Sequence, residues 1–115
     1  MTLKLFNRLS RSVEPFAPEE GGAVRVYGCG PTIYARAPIG NFRTFIVYDF
    51  LHRVLERKGW DVRFAVNFTD VDDKTIDGAA REGVALNDFT APLGEVFRQD
   101  MERRGIKHFD VIPRA

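Results

Sequence analysis

The feature that most constrains this fold is a strand pattern that follows a helix pattern with a single glycine as punctuation. Val62, Phe64, Val66 and Phe68 alternate with Arg63, Ala65 and Asn67. That two-residue period is a strand with one apolar face, over residues 61–70. Ahead of it, Phe42, Phe45, Ile46, Leu51, Val54 and Leu55 recur at three- and four-residue spacing, which predicts an amphipathic helix over residues 40–58. Arg53, Arg57 and Lys58 suit the negative end of its dipole, and Gly59 is the expected stop. Val24, Val26 and Gly28 alternate earlier still and predict a strand over residues 24–29. Strand, helix, strand over this length is a βαβ unit, so the two strands should be parallel with a right-handed crossover.

The flanks are simpler. Leu3, Leu5 and Phe6 read as a short strand, residues 7–12 as a turn and residues 13–16 as a returning strand, which makes a small β-hairpin. Pro15, Pro18 and Gly21-Gly22 make 15–23 a loop. After the second βαβ strand, Asp72 and Asp73 fall in the first turn of a helix that runs to Glu82 and stops at Gly83. Thr90, followed by Pro92 in the first turn, starts another helix with Leu93, Val96, Phe97 and Met101 as its apolar face. The tail IKHFDVIPRA has no period and reads as a connection. The expected fold is α/β, a Rossmann-like half-domain with a parallel βαβ core preceded by a short β-hairpin. Residues 1–23 are the N-terminal hairpin and loop, and residues 24–115 the half-domain.

Composition narrows the function classes. A net charge of +1 over 115 residues gives no global field for nucleic acid, so polyanion contact must come from a local patch. One cysteine excludes an internal disulfide framework and fits a reducing, cytoplasmic compartment. The first residues lack the apolar core of a signal peptide, and no apolar run is long enough to span a membrane. A dinucleotide site is disfavoured because G-x-G-x-x-G is absent between the first βαβ strand and its helix.

Chemistry concentrates at VRVYGCGPTIYARAPIGN, residues 24–41. Here a strand ends in the lone Cys29 and leads to a helix N-terminus. Open α/β sheets bind ligands at strand carboxyl ends, and free helix N–H groups attract phosphate. Each residue also has a plainer reading. Cys29 alone is a small hydrophobe at a strand end. Gly30 is a turn glycine, Thr69 flanks a helix, and Pro38 pre-sets a helix start. Asp70, Asp72 and Asp73 could suggest magnesium, but capping and dipole complementarity explain them better. Arg98, Arg103, Arg104 and Lys107 read as a solvated face. His52 and His108 read as ordinary surface or packing residues.

Several segments, taken in order, resemble one family, the cysteinyl-tRNA synthetases. Tyr27-Gly-Cys-Gly-Pro-Thr-Ile-Tyr34 is similar to the family's cysteine-containing first strand and turn. Pro38-Ile-Gly-Asn41 stands where the family carries its version of the class I HIGH signature, often His-Ile-Gly-Asn. Phe42-Arg-Thr-Phe45 resembles the start of the following helix. Asn67-Phe-Thr-Asp-Val-Asp-Asp-Lys74 resembles the family's N-x-T-D-V-D-D-K block. Leu3-Lys-Leu-Phe-Asn7 and Pro113-Arg-Ala115 fit the start and the end of its first half-domain.

The resemblance implies a cysteine–tRNA ligase. Cysteine would be activated with ATP and Mg2+ to cysteinyl adenylate, then passed to tRNA(Cys). Zinc would select the substrate thiol, because a pocket alone distinguishes such close analogues poorly while thiolate is a strong zinc ligand. It further implies Cys29 as a zinc ligand, with Cys, His and Glu ligands from a later part of the chain. Gly30 and Thr69 would line the cysteine pocket. Pro31, Thr32, Pro38, Ile39, Gly40 and Asn41 would belong to the ATP site. Asn41 is an acceptable variant of the signature's second histidine. Pro38 replaces the first histidine and has no donor, so either Asn41, the helix amides and Thr32 compensate or the chain is a weakened or inactive relative. No KMSKS-like run occurs. The expected protein is a cytoplasmic monomer, not bound to membrane, of which this chain is the first half of the catalytic domain. The alternatives are a mycothiol-type paralogue that joins cysteine to a small amine, and a truncated, non-catalytic paralogue that acts as a binding module.

Overall fold

The structure is a computed structural model that describes residues 2–18, 23–107 and 109–114. Gly21-Gly22, His108 and Ala115, read above from sequence, lie outside the described residues. Strands β1 (Lys4–Asn7) and β2 (Ser12–Pro15) pair antiparallel, with Phe6 opposite Val13. The turn between them holds Arg11 at φ 57°, and the Asn7 side chain accepts from the Leu9 N–H at 3.0 Å. Phe16, just past β2, donates its N–H to the Leu3 carbonyl at 2.8 Å and sets its ring edge-on to Trp60.

The βαβ unit follows as β3 (Ala23–Gly28), α1 (Ile39–Arg57) and β4 (Asp61–Val66). β3 and β4 are parallel, in register from Ala23 opposite Asp61 to Gly28 opposite Val66. Val24, Val62, Phe64 and Val66 turn inward against Phe42, Phe45 and Leu55 of α1. The predicted helix face needs one correction. Ile46 is 52% exposed, and the buried line runs through Phe42, Phe45, His52 and Leu55. His52 fills the place expected of an aliphatic residue because its ring stacks on Phe64, centroids 5.6 Å apart.

Helix α2 (Asp73–Glu82) begins on a capping box. The Asp72 carboxylate accepts from the Lys74 N–H, and the Thr75 hydroxyl accepts from the Asp72 N–H. It ends at Gly83, φ 67°, a left-handed position that costs glycine nothing.

Helix α3 (Leu86–Arg103) starts earlier than the sequence suggests, and Pro92 lies inside it rather than in its first turn. The extra turn has a packing cause. A Cβ on Gly78 of α2 would come within 2.5 Å of the Phe89 ring, so Phe89 docks onto the glycine face of α2 only if the chain is already helical there. Pro92 removes one backbone hydrogen bond within this helix.

The tail also differs from expectation. Residues 110–114 are not a free connection but run parallel beside β4. Val66 donates its N–H to the Val111 carbonyl at 3.0 Å, and Phe68 donates to that of Pro113 at 2.9 Å. Ile106 and Phe109 anchor the segment in the core with Phe97 and Met101.

Helices α1 and α3 share this core and so cover one sheet face. The opposite face, with Arg25, Tyr27, Arg63, Ala65 and Val111, frames an open cavity of about 440 Å3. Among the described residues β3 has a strand partner on one side only.

Candidate functional site

The two parallel strands do not part where β3 and β4 end. Thr69 donates its N–H to the Pro31 carbonyl at 3.0 Å, and Ile33 donates to the Thr69 carbonyl at 3.2 Å. The loop after β3 is therefore pinned to the chain after β4. Asn67 tightens the junction: its side-chain oxygen accepts from the Gly30 N–H at 3.1 Å, and its amide donates to the Thr69 hydroxyl at 3.2 Å. A Cβ on Gly30 would meet the Asn67 carbonyl oxygen at 1.5 Å. Glycine at 30 is thus required by the approach of two backbones.

Beside this junction lies a cavity of about 420 Å3, lined by Cys29, Gly30, Pro31, Thr32, Gly40, Asn41, Thr44, Phe45 and Tyr48. That volume is in the range of small-molecule sites. Its place at the strand carboxyl ends and the start of α1 is where an open α/β sheet binds ligands. The larger cavity on the open sheet face lies away from these residues. Tyr48 forms part of the back wall and donates its hydroxyl to the Cys29 carbonyl at 3.4 Å.

The sequence-derived site residues fall into groups. Cys29, Gly30, Pro31, Thr32, Gly40 and Asn41 come together in the cavity lining. Pro38 lines a smaller cleft of about 30 Å3 that shares Pro31, Thr32 and Asn41 with the main cavity. Ile39 is 76% exposed and lies outside both linings. Thr69 sits on the neighbouring strand end with its hydroxyl engaged by Asn67.

The start of α1 is open to an anion. Pro38 is its N-cap and offers no side-chain cap, and no acidic residue occupies the first turn. The orphan N–H groups there have the dipole that favours phosphate. Around Gly40 an added Cβ would meet nothing within 4 Å, so packing does not require glycine there and the space above the main chain is free for a ligand.

The Cys29 thiol is exposed at the cavity. Among the described residues no three His, Cys, Asp or Glu side chains are grouped to hold a metal ion. These residues offer zinc one thiolate and do not by themselves make a zinc site. Asp72 and Asp73 act as cap and first-turn charge of α2, in line with the plainer reading.

Three residues of the site region escaped the sequence reading. Asn67 had a signal, as the first residue of the N-x-T-D-V-D-D-K block, but not as a site residue. Arg36 and Asp100 had none, because 64 positions separate them; they form a bidentate pair at 3.0 and 2.9 Å. Arg104 is also more than a solvated charge, since its guanidinium lies 4.0 Å over the Phe42 ring.

Comparison with known proteins bears on the family and the fold. A family model described as tRNA synthetases class I (C) catalytic domain matches residues 15–115. The chain is 46% identical over its full length to the cysteine–tRNA ligase of Koribacter versatilis and covers 23% of that protein. It is 45% identical over its full length to that of Lysinibacillus sphaericus and covers 25% of it. The chain thus spans about a quarter of the length of these curated relatives. Among solved structures, it is similar in fold to Mycobacterium tuberculosis methionyl-tRNA synthetase in complex with methionyl-adenylate. The TM-score is 0.73 at 24% identity, over 80% of this chain and 18% of that one.

Proposed function

The chain belongs to the family of class I (C) tRNA synthetase catalytic domains, and from that premise we propose that it is part of a cysteine–tRNA ligase. Residues 24–115 form the first half of the catalytic domain, and residues 1–23 an N-terminal hairpin and loop. The observation that carries the reading is the cavity at the strand carboxyl ends, whose lining includes Cys29, Gly30, Pro31, Thr32, Gly40 and Asn41.

In this reading the triphosphate of ATP lies at the start of α1. The free N–H groups of the first turn and the Asn41 side chain donate to its oxygens, and the open space over Gly40 admits it. The cysteine substrate lies over Gly30 and Thr69. A carboxylate oxygen of the substrate attacks the α-phosphorus. A bond forms there, the bond to the bridging oxygen breaks, and pyrophosphate leaves with Mg2+. A hydroxyl of the terminal adenosine of tRNA(Cys) then attacks the carbonyl carbon of the adenylate, the bond from that carbon to the phosphate oxygen breaks, and AMP leaves. Bound zinc would supply discrimination of thiol from hydroxyl. Cys29 would give it one thiolate, with the remaining ligands from residues beyond those described. The protein works as a cytoplasmic monomer. No described helix is long and apolar enough to cross a membrane.

One observation favours a second reading, a non-catalytic paralogue that binds a ligand or partner. Pro38 stands at the N-cap without any donor. Cysteine-dependent ATP–pyrophosphate exchange, measured on the longest chain the gene encodes with zinc quantified in the same sample, separates the two. Exchange with cysteine and not with serine, alongside one zinc per chain, is the expected result; a folded protein with no exchange moves the assignment to the paralogue. Acylation of tRNA(Cys), against transfer to a small amine, then identifies the acceptor.

Pro38→His restores a donor at the phosphate end of the site. It is expected to speed adenylate formation by up to about a hundredfold to a thousandfold, the reverse of deleting one preorganised transition-state donor. An unchanged rate in single-turnover adenylate assays would mean that the α1 amides and Asn41 already supply what the histidine would.

A further inference from the structure

Residues 31–33 of the loop before α1 are held by backbone pairing with Thr69, but residues 34–38 lie beyond that pairing. This arm leads directly into α1. It is gripped from the side by Arg36, whose Nε donates to Asp100 Oδ2 at 3.0 Å and whose Nη2 donates to Oδ1 at 2.9 Å. The contact is unequal in exposure: the Arg36 side chain is 64% exposed, whereas that of Asp100 is 4% exposed. A planar guanidinium set fork to fork on a buried carboxylate fixes orientation as well as distance.

The same carboxylate has further company on α3. Arg104 and Arg103 bring their Nη1 atoms to 3.5 and 3.9 Å from Oδ1. Arg104 also donates to the Asp100 carbonyl at 2.6 Å and covers the ring of Phe42, which is fully buried near the start of α1. A continuous line therefore runs from the loop arm through Asp100 and Arg104 to the helix that the arm enters. The hydrogen bonds from Arg36 come first among the causes that hold the Asp100 carboxyl below the usual carboxylate range.

We infer that Arg36 and Asp100 are positioning residues for the nucleotide. Asp100 holds Arg36, and Arg36 holds the 34–38 arm, so that the first turn of α1 and Asn41 stay aimed into the cavity. The inference rests on reading that cavity as the ATP site. Its physical basis is the N-cap. Pro38 has no side chain that could swing to meet a phosphate, so at the start of α1 the donors are backbone N–H groups, with the side chains of Thr32, Asn41 and Thr44 beside them in the lining. Backbone donors cannot re-aim by changing rotamer, and their placement depends on the loop that delivers them. Misplacement of about 1 Å at a reacting centre costs on the order of a hundredfold in rate.

The test is a double-mutant cycle on the longest chain the gene encodes, read by cysteine-dependent ATP–pyrophosphate exchange. Arg36→Ala is the lead variant, because so exposed a side chain is removed without opening the core. It is expected to raise KM for ATP about tenfold while KM for cysteine stays within about twofold of the parent. Asp100→Asn is expected to do the same, and the double variant to be no worse than the weaker single. A KM for ATP unchanged in Arg36→Ala, a KM for cysteine that rises in step with it, or single effects that multiply would each overturn the inference. With an active parent, such results leave the ATP site standing. A folded parent that shows no exchange would instead remove the ATP site, and this inference with it.

Discussion

Gly30→Ala is expected to destabilise the protein by about 3 kcal/mol or more, at the upper end of overpacking changes. The added methyl would have to occupy a point 1.5 Å from the Asn67 carbonyl oxygen and 3.0 Å from a Val66 methyl. The nearest obstacle is backbone, which cannot turn aside as a side chain tip can. Relief requires the ends of β3 and β4 to separate. That breaks the bond from the Gly30 N–H to Asn67 and strains the Pro31–Thr69 pairing. Gly40→Ala is the informative contrast. Nothing lies within 4 Å of its added methyl, and alanine is the better helix former by about 1 kcal/mol, so stability should hold or rise slightly. If the space over Gly40 receives ATP, KM for ATP should nevertheless rise. Denaturant unfolding measures the first quantity and exchange kinetics the second. Equal stability loss in both variants would contradict the assignment of one glycine to the fold and the other to the ligand.

Cys29→Ser carries the second large effect. The thiol is exposed at the cavity, and its hydrogen bond there is a long one to the Gly30 carbonyl at 3.7 Å. Serine keeps the shape of the strand end but offers zinc a neutral hydroxyl, a far poorer ligand than thiolate. Zinc content and cysteine affinity should fall together. Discrimination against serine as substrate should decline toward the roughly hundredfold that a pocket achieves without a metal. Folding should be little changed, since the side chain packs in no core. Metal quantification of the purified variant decides the matter, and a zinc content equal to the parent's would remove Cys29 from the metal site.

The local layers of the structure were readable in the sequence, and the reason is their periodicity. β4 and α1 announce themselves through side chains two or three to four residues apart, and Asp72 and Gly83 bracket α2 by cap chemistry alone. What stayed hidden depends on residues far apart in the chain. Nothing near Pro92 indicates that Phe89 will find Gly78, so the first turn of α3 could not be foreseen. Nothing within residues 110–114 shows that they will lie along β4, because the pairing is written in the backbone of residues 64–68. The same holds at the site. Cys29 and the residues of the α1 start stand out through motifs that resemble those of a known family. The grip of Asp100 on Arg36 has no local trace.

The sheet meets solvent along β3. Ala23–Gly28 pairs with β4 on one side, and among the described residues nothing pairs on the other. Such a row of unmatched amides and carbonyls is a template for any extended chain that drifts near. Arg25, mid-strand and exposed, is the kind of charge that makes such a template unattractive to a second copy. A strand added here in parallel would end beside Cys29, which directly follows β3.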